Sequence, residues 1–249
     1  MGPGLGNMIK AVLFDFGQTL VDSSAAFRNA EKTAQRNILT DLQLTDAEGF
    51  LAEYRRIRRQ FKDRSEASRV RIWSEVYTHF GRGVNVEQLK AWEADYWRTV
   101  ADGTSPFPET MRVLEALRKQ YRLGMVTNAQ GAEGCRHRLG DWPQITDLFA
   151  SLIIAGQDGM PAKPAREPFD ACLAALCVPP DKAIFVGDDY HADMEGAIAA
   201  GISPIWLKHH LAKRNWPDVA ANVPVITNLS PLLGIGVEGL GVASLRAEL

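Results

Sequence analysis

The chain has 249 residues, 46% of them hydrophobic and 23% charged, with a formal net charge of −2. This is the composition of an ordinary soluble globular protein, long enough to bury a core in one large domain, or in one domain carrying a smaller one, without disulfide or metal staples. The balanced charge gives no basic footprint for nucleic acid, and no stretch approaches the roughly 18 apolar residues of a membrane span, so a small-molecule partner is expected.

Three cysteines, Cys135, Cys172 and Cys177, are an odd number without metal-site spacing. They read as reduced thiols, and a cytoplasmic location is expected. Met1 to Met8 lacks the charged start and long apolar run of a signal peptide.

The first clear element is Ile9–Phe16, whose apolar run Ala11-Val12-Leu13-Phe14 ends at Asp15. A continuous run of this length predicts a strand buried on both faces, as in a parallel sheet. From Asp22 to Ser105 no strand is predicted. Helical spacing runs through Phe27–Leu39, Thr45–Gln60, Ser65–Phe80 and Val86–Val100, with Thr45 and Glu48 forming a capping-box pattern. Residues 22–105 are therefore expected to be an inserted helical domain.

Alternation resumes at Pro106. Helices are predicted over Glu109–Tyr121, Arg166–Leu176 and Met194–Ala200, and strands over Arg122–Thr127, Ser151–Ala155, Ala183–Val186, Ser203–Leu207 and Val223–Thr227. Strands and helices alternating at these lengths imply an α/β fold, a Rossmann-like doubly wound parallel sheet. The core is expected over 8–21 and 106–232, and the tail over 233–249 carries no reading.

Four segments fall at or beside strand ends: Asp15-Phe16-Gly17-Gln18-Thr19, Thr127-Asn128, Lys163-Pro164, and Gly187-Asp188-Asp189 with Asp193. In a parallel sheet all four gather at one edge, where open α/β folds bind ligands. Crowded carboxylates repel one another, and a divalent cation with an oxygen shell, magnesium above all, relieves this. A carboxylate nucleophile, a lysine and a hydroxyl beside such a cation suit phosphoryl transfer.

In order and character these segments resemble the four motifs of the haloacid dehalogenase-like superfamily, and the helical insertion resembles that superfamily's small α-helical cap. The resemblance implies Asp15 as nucleophile and metal ligand, the Gly17 carbonyl and Asp188 as further ligands, and Asp193 supporting the metal or Lys163. It also implies Gly17, Thr19, Thr127, Asn128 and Lys163 at the substrate phosphate, Thr19 orienting Asp15 as well, and Asp189 as an alternative ligand. The substrate implied is a small phosphate monoester, the cofactor Mg2+, and the assembly a monomer or a homodimer.

One position departs from the pattern. The superfamily's phosphatases place a second Asp where this chain has Gly17, and that Asp protonates the leaving group. Glycine cannot do so, which leaves three readings: a phosphatase with another proton source, a 2-haloacid dehalogenase-type hydrolase whose halide leaves unprotonated, or a non-catalytic relative. The retained Asp188 and Asp193 favour the phosphatase.

Other signals are read as structural. The arginines from Arg55 to Arg71 are expected on a solvated face, Trp73, Trp92, Trp97, Tyr77 and Tyr96 in a core, and His191 on an exposed turn. Asp22 is either a helix cap or a residue facing substrate, and Gly131 and Gly134 suggest a loop near the phosphate.

Overall fold

The computed structural model describes residues 9–64, 66–129, 139–212, 215–219 and 223–235. Met1–Met8, Ser65, Gly131, Gly134, Cys135 and the tail beyond residue 235 lie outside the described residues.

In chain order, β1 (Ala11–Phe14) is followed by β2 (Val21–Asp22) and then by α1 (Ser24–Asp41), α2 (Ala47–Asp63), α3 (Arg69–His79) and α4 (Val86–Asp102). Next come β3 (Ser105–Pro106), α5 (Thr110–Leu117), β4 (Arg122–Asn128), α6 (Pro143–Thr146), β5 (Ser151–Ala155), α7 (Glu167–Leu176) and β6 (Ala183–Gly187). A wide helical turn over Tyr190–Glu195 leads into α8 (Gly196–Ala199), β7 (Ser203–Leu207) and β8 (Val225–Ile226).

Contacts divide the chain into two compact units. The first runs to Ser24 and takes up Ser105–Asn128 and the residues from Trp142 on. The second is built on Ala25–Thr104 and also takes Ala129 and Asp141.

In the first unit β1 pairs in parallel on both sides, Phe14 lying opposite Met125 of β4 and Val186 of β6. The parallel sheet runs in the order β5-β4-β1-β6-β7-β8. Successive strands step away from β1 in one direction and then in the other. The order therefore reverses between β1 and β6, and a doubly wound sheet leaves its ligand crevice at the carboxyl ends of such a pair. All four residues of β1 are fully buried, which is why that stretch is apolar without alternation. Helix α7 lays Phe169, Cys172, Leu173 and Leu176 against this sheet. Each fully buried side chain of that size is worth about 1.5–3 kcal/mol. Gly124 permits the approach, since a Cβ there would meet Cys172 Sγ at 2.6 Å.

In the second unit α1 to α4 surround a core of their own. On α2, Phe50, Tyr54, Ile57 and Phe61 form one buried stripe at helical spacing. Trp73, Tyr77, Tyr96 and Trp97 are buried in the same cluster, with Trp92 packed at its margin. Helix α2 is capped by Asp46, which accepts from Gly49 N at 2.9 Å. The expected Thr45–Glu48 box does not start it: an aspartate directly before the helix caps well and also favours the positive end of the helix dipole.

Arg55, Arg58 and Arg59 are exposed as expected, and Arg56 and Arg71 pair with Glu53 and Glu66 at 2.7 and 2.8 Å. Arg69 is the exception, only 5% exposed. Its guanidinium donates to Ala67 O at 3.0 Å and to Tyr96 Oη at 3.1 Å, and lies over the Tyr96 ring. Tyr96 in turn donates to Glu31, also buried, at 3.0 Å.

Two further features differ from the sequence expectation. Strands β2 and β3 pair antiparallel at the two ends of the helical insertion, Val21 with Pro106 and Asp22 with Ser105. Two-residue strands are too short to leave an alternating pattern. Helix α5 stops at Leu117, short of Tyr121, whose N–H closes back on the Leu117 carbonyl at 2.8 Å. No described helix is long and apolar enough to cross a membrane.

Candidate active site

Asp15 is the first residue after β1, and its N–H donates to Val186 O at 3.0 Å, extending the ladder between β1 and β6. The chain then turns sharply. Leu20 N closes on Phe16 O at 2.9 Å, Gln18 N on Val21 O at 2.8 Å, and Gln18 takes a left-handed φ of 62°. This turn carries Gly17 and Thr19 and brings the chain back into β2.

Asp188 follows β6 directly. Its carbonyl accepts the indole N–H of Trp206 at 3.0 Å, which ties it to β7. Asp193 comes from the wide turn that follows. Asp189 caps that turn, accepting from Ala192 N at 3.0 Å, while its own N–H donates to Asp193 Oδ2 at 2.9 Å. Asp15, Asp188 and Asp193 are all buried, and each places a carboxylate oxygen within 4.8 Å of the others.

Lys163 lies beyond β5 with a side chain 2% exposed. Its ammonium donates to Asp15 Oδ1 at 2.8 Å, to Asp193 Oδ1 at 2.6 Å and to Val126 O at 2.8 Å. An ammonium has three donors, so all three are engaged. Burial favours the neutral amine, but the two carboxylates outweigh it and hold the Lys163 pKa above its ordinary value. The Asp193 pKa is raised as well: burial, with Lys163 opposing and Asp15 reinforcing, pushes its carboxyl above the usual range.

Three buried carboxylates against one ammonium leave two formal negative charges. Burying such charge without a partner is costly. A divalent cation would balance it, and the all-oxygen donor set suits magnesium. The residues present therefore fit that ion.

The remaining expected site residues fall as follows. Thr127 is buried near the end of β4, beside the Val126 carbonyl that receives Lys163. Asn128 closes β4, and its side-chain amide binds the backbone of Lys163 at both N and O. The Thr19 hydroxyl is buried and makes no hydrogen bond among the described residues, to Asp15 or to any other group. Asp189 is used as a cap and lies outside the carboxylate cluster. His191 is exposed and pairs with Glu195. Asp22 accepts from Ser24 N at 2.8 Å and Ser24 Oγ at 2.6 Å, capping α1.

One supporting residue went unread in the sequence. Trp206 reveals its role only through the fold. Gly187, singled out in the sequence with Asp188, permits a close approach: a Cβ there would lie 2.5 Å from Asp193 Cγ.

Comparison with known proteins gives a consistent picture. The family model for haloacid dehalogenase-like hydrolases matches residues 9–201. The glyceraldehyde 3-phosphate phosphatase of Methanothermobacter thermautotrophicus is 28% identical over 244 residues, covering 90% of this chain and 98% of the relative. Among solved structures, a 2-haloacid dehalogenase from Pseudomonas syringae is 27% identical with a TM-score of 0.63, over 92% of this chain and 98% of that one. A magnesium-bound hydrolase of the same superfamily from Bacillus subtilis has a TM-score of 0.63 at 21% identity, over 92% of this chain and 98% of that one, a likeness of fold alone.

Proposed function

The chain belongs to the haloacid dehalogenase-like hydrolases, and from that premise we propose that it hydrolyses a small phosphate monoester with magnesium, through a covalent intermediate on Asp15. One observation carries the reading: a buried carboxylate at the carboxyl end of the central strand, paired with a lysine and facing two further carboxylates.

The residues divide the work. Asp15 attacks phosphorus, so that one oxygen–phosphorus bond forms while the bond to the leaving alcohol breaks and the alkoxide takes a proton from water. Water then attacks the phosphorus of the acyl phosphate, inorganic phosphate leaves, and the Asp15 carboxylate is restored. Splitting the displacement in two replaces one hard step with two easier ones. Magnesium supplies attraction for the phosphate and charge neutralisation, held by Asp15, Asp188 and the Gly17 carbonyl. Asp193 accepts one hydrogen bond from Lys163 and one from Asp189 N, so it holds the lysine and the turn beside the ion. Lys163 orients Asp15 through its 2.8 Å hydrogen bond to Oδ1. Thr127 and nearby N–H groups bind phosphate oxygens. The helical unit over Ala25–Thr104 acts as the cap that selects substrate.

A triose phosphate is the first natural substrate to try, since a relative is named for glyceraldehyde 3-phosphate. Gly17 favours one rival reading, a carbon–halogen hydrolase, because halide leaves without a proton. Incubation with an aryl phosphate, with and without magnesium, beside 2-chloropropionate separates the two. Magnesium-dependent phosphate release supports the proposal, whereas halide release without metal replaces it.

A further inference from the structure

We infer that Asn128 is a positioning residue for Lys163, acting on the lysine's backbone rather than on substrate. The inference rests on the reading of Asp15 and Lys163 as the reaction centre.

Asn128 is the last residue of β4. Its Oδ1 accepts from Lys163 N at 2.8 Å and its Nδ2 donates to Lys163 O at 3.2 Å. Two bonds of opposite direction to one residue's N–H and C=O are what a facing strand residue makes in a ladder. Lys163 lies in no strand, and the side chain supplies that missing partner. Both peptide groups flanking the Lys163 Cα are thereby fixed.

From that anchored Cα the lysine side chain runs, buried, to three acceptors on different parts of the chain: Asp15 after β1, Val126 on β4 and Asp193 after β6. A lysine has many rotamers to lose, and holding its ammonium on three acceptors at once needs a fixed starting point. Small misplacements of a group at a reacting centre are costly in rate. The same amide cannot easily serve a substrate phosphate, since its oxygen is an acceptor and one of its N–H donors is engaged.

The test is a double-mutant cycle on p-nitrophenyl phosphate with magnesium, using Asn128→Ala, Asn128→Asp and Lys163→Met. Asn128→Ala should lower kcat about 10- to 100-fold, the range for residues that orient a functional group, with KM changed less than about threefold and Tm nearly unchanged. Asn128→Asp keeps the acceptor for Lys163 N and loses the donor to Lys163 O, so its loss should be intermediate. In the Lys163→Met background, Asn128→Ala should lower the residual kcat no further. A rise in KM at unchanged kcat, losses that multiply in the double variant, or unchanged kinetics would overturn the inference. Should the unmutated enzyme release no phosphate, the phosphatase reading fails by itself. A crystal structure of Asn128→Asp then decides the positioning role: the Lys163 ammonium displaced from Asp15 supports it, and an undisturbed 2.8 Å pair contradicts it.

Discussion

Gly187 and Asp193 approach so closely that a methyl group on Gly187 would lie 2.6 Å from Asp193 Cβ. This contact lets Asp193 turn back from the helical turn and reach the Lys163 ammonium. Gly187→Ala should push that carboxylate aside, destabilise the fold by about 1–3 kcal/mol as overpacking does, and reduce turnover. Gly83→Ala, where an added Cβ meets nothing within 4 Å, should stay within about 0.5 kcal/mol. Urea denaturation of the two variants checks the contrast. Equal midpoints would mean that the site absorbs the methyl group freely.

Gly17→Asp should restore part of the missing proton transfer. The left-handed residue of this turn is Gln18, with φ 62°, and Gly17 has no positive φ, so its backbone admits a side chain. General acid–base help is worth roughly 10²–10⁴ in rate, and an unrefined geometry should recover the lower end at most. The gain should be larger on an alkyl phosphate, whose alkoxide is a poor leaving group, than on an aryl phosphate. Equal gains, or none in a folded variant, would show that leaving-group protonation does not limit the reaction.

Trp206→Phe removes the donor to the Asp188 carbonyl while keeping most of the ring. Loss of an outer partner of a metal ligand typically lowers metal affinity about 10- to 100-fold. Magnesium titration by calorimetry should show a weaker Kd with a nearly unchanged Tm. An unchanged Kd would remove Asp188 orientation from the role of Trp206.

In the helical unit, Glu31 and Arg69 are buried together through Tyr96. Glu31→Leu leaves the Arg69 charge without its carboxylate and should cost about 3–5 kcal/mol, while Glu31→Leu with Arg69→Met should recover most of that loss. Thermal unfolding of the single and double variants decides the point. Additive losses would contradict it.

Acid should loosen the link between Glu109 and His209. His209 Nε2 and Leu229 N both meet Glu109 Oε1 at 3.0 Å, and the His209 ring stacks on Phe107. Burial, against the pull of Glu109, lowers the His209 pKa from 6.5. Glu109 is opposed by its own burial, but hydrogen bonds from the Leu229 N–H and His209 lower it from 4.5. The folded state therefore resists protonating His209, so stability falls as pH drops below about 6.5. Glu109 contributes stability above about 4.5 that is lost as pH falls through its lowered folded value. His209→Gln should flatten the upper part of this profile, read as Tm against pH. A variant profile parallel to the parent's would assign the slope to other groups.

Much of the site could be read because strand ends announce themselves. An apolar run stopping at Asp15, and another stopping at Gly187-Asp188, place carboxylates at one edge of a parallel sheet, where the structure brings Asp15, Asp188, Asp193 and Lys163 together. What escaped depends on distant contacts with no local pattern. Asn128 resembles a phosphate ligand by its position beside Thr127, yet its amide meets a backbone 35 residues away. Arg69 looks like its exposed neighbours in the sequence and is buried only because Tyr96, Trp97 and Glu31 converge on it. The β2–β3 pair is two residues long on each side and so leaves no periodicity to read.

The most direct test of Asp15 as nucleophile is to trap the intermediate. A preparation turning over p-nitrophenyl phosphate with magnesium would be quenched in acid, reduced with borohydride, and the peptide carrying residue 15 read by mass spectrometry. An acyl phosphate reduces to the alcohol, so homoserine at position 15 is the expected result, absent without substrate and absent in Asp15→Asn. Undiminished turnover with an unmodified Asp15, or reduction at a different carboxylate, would contradict the assignment.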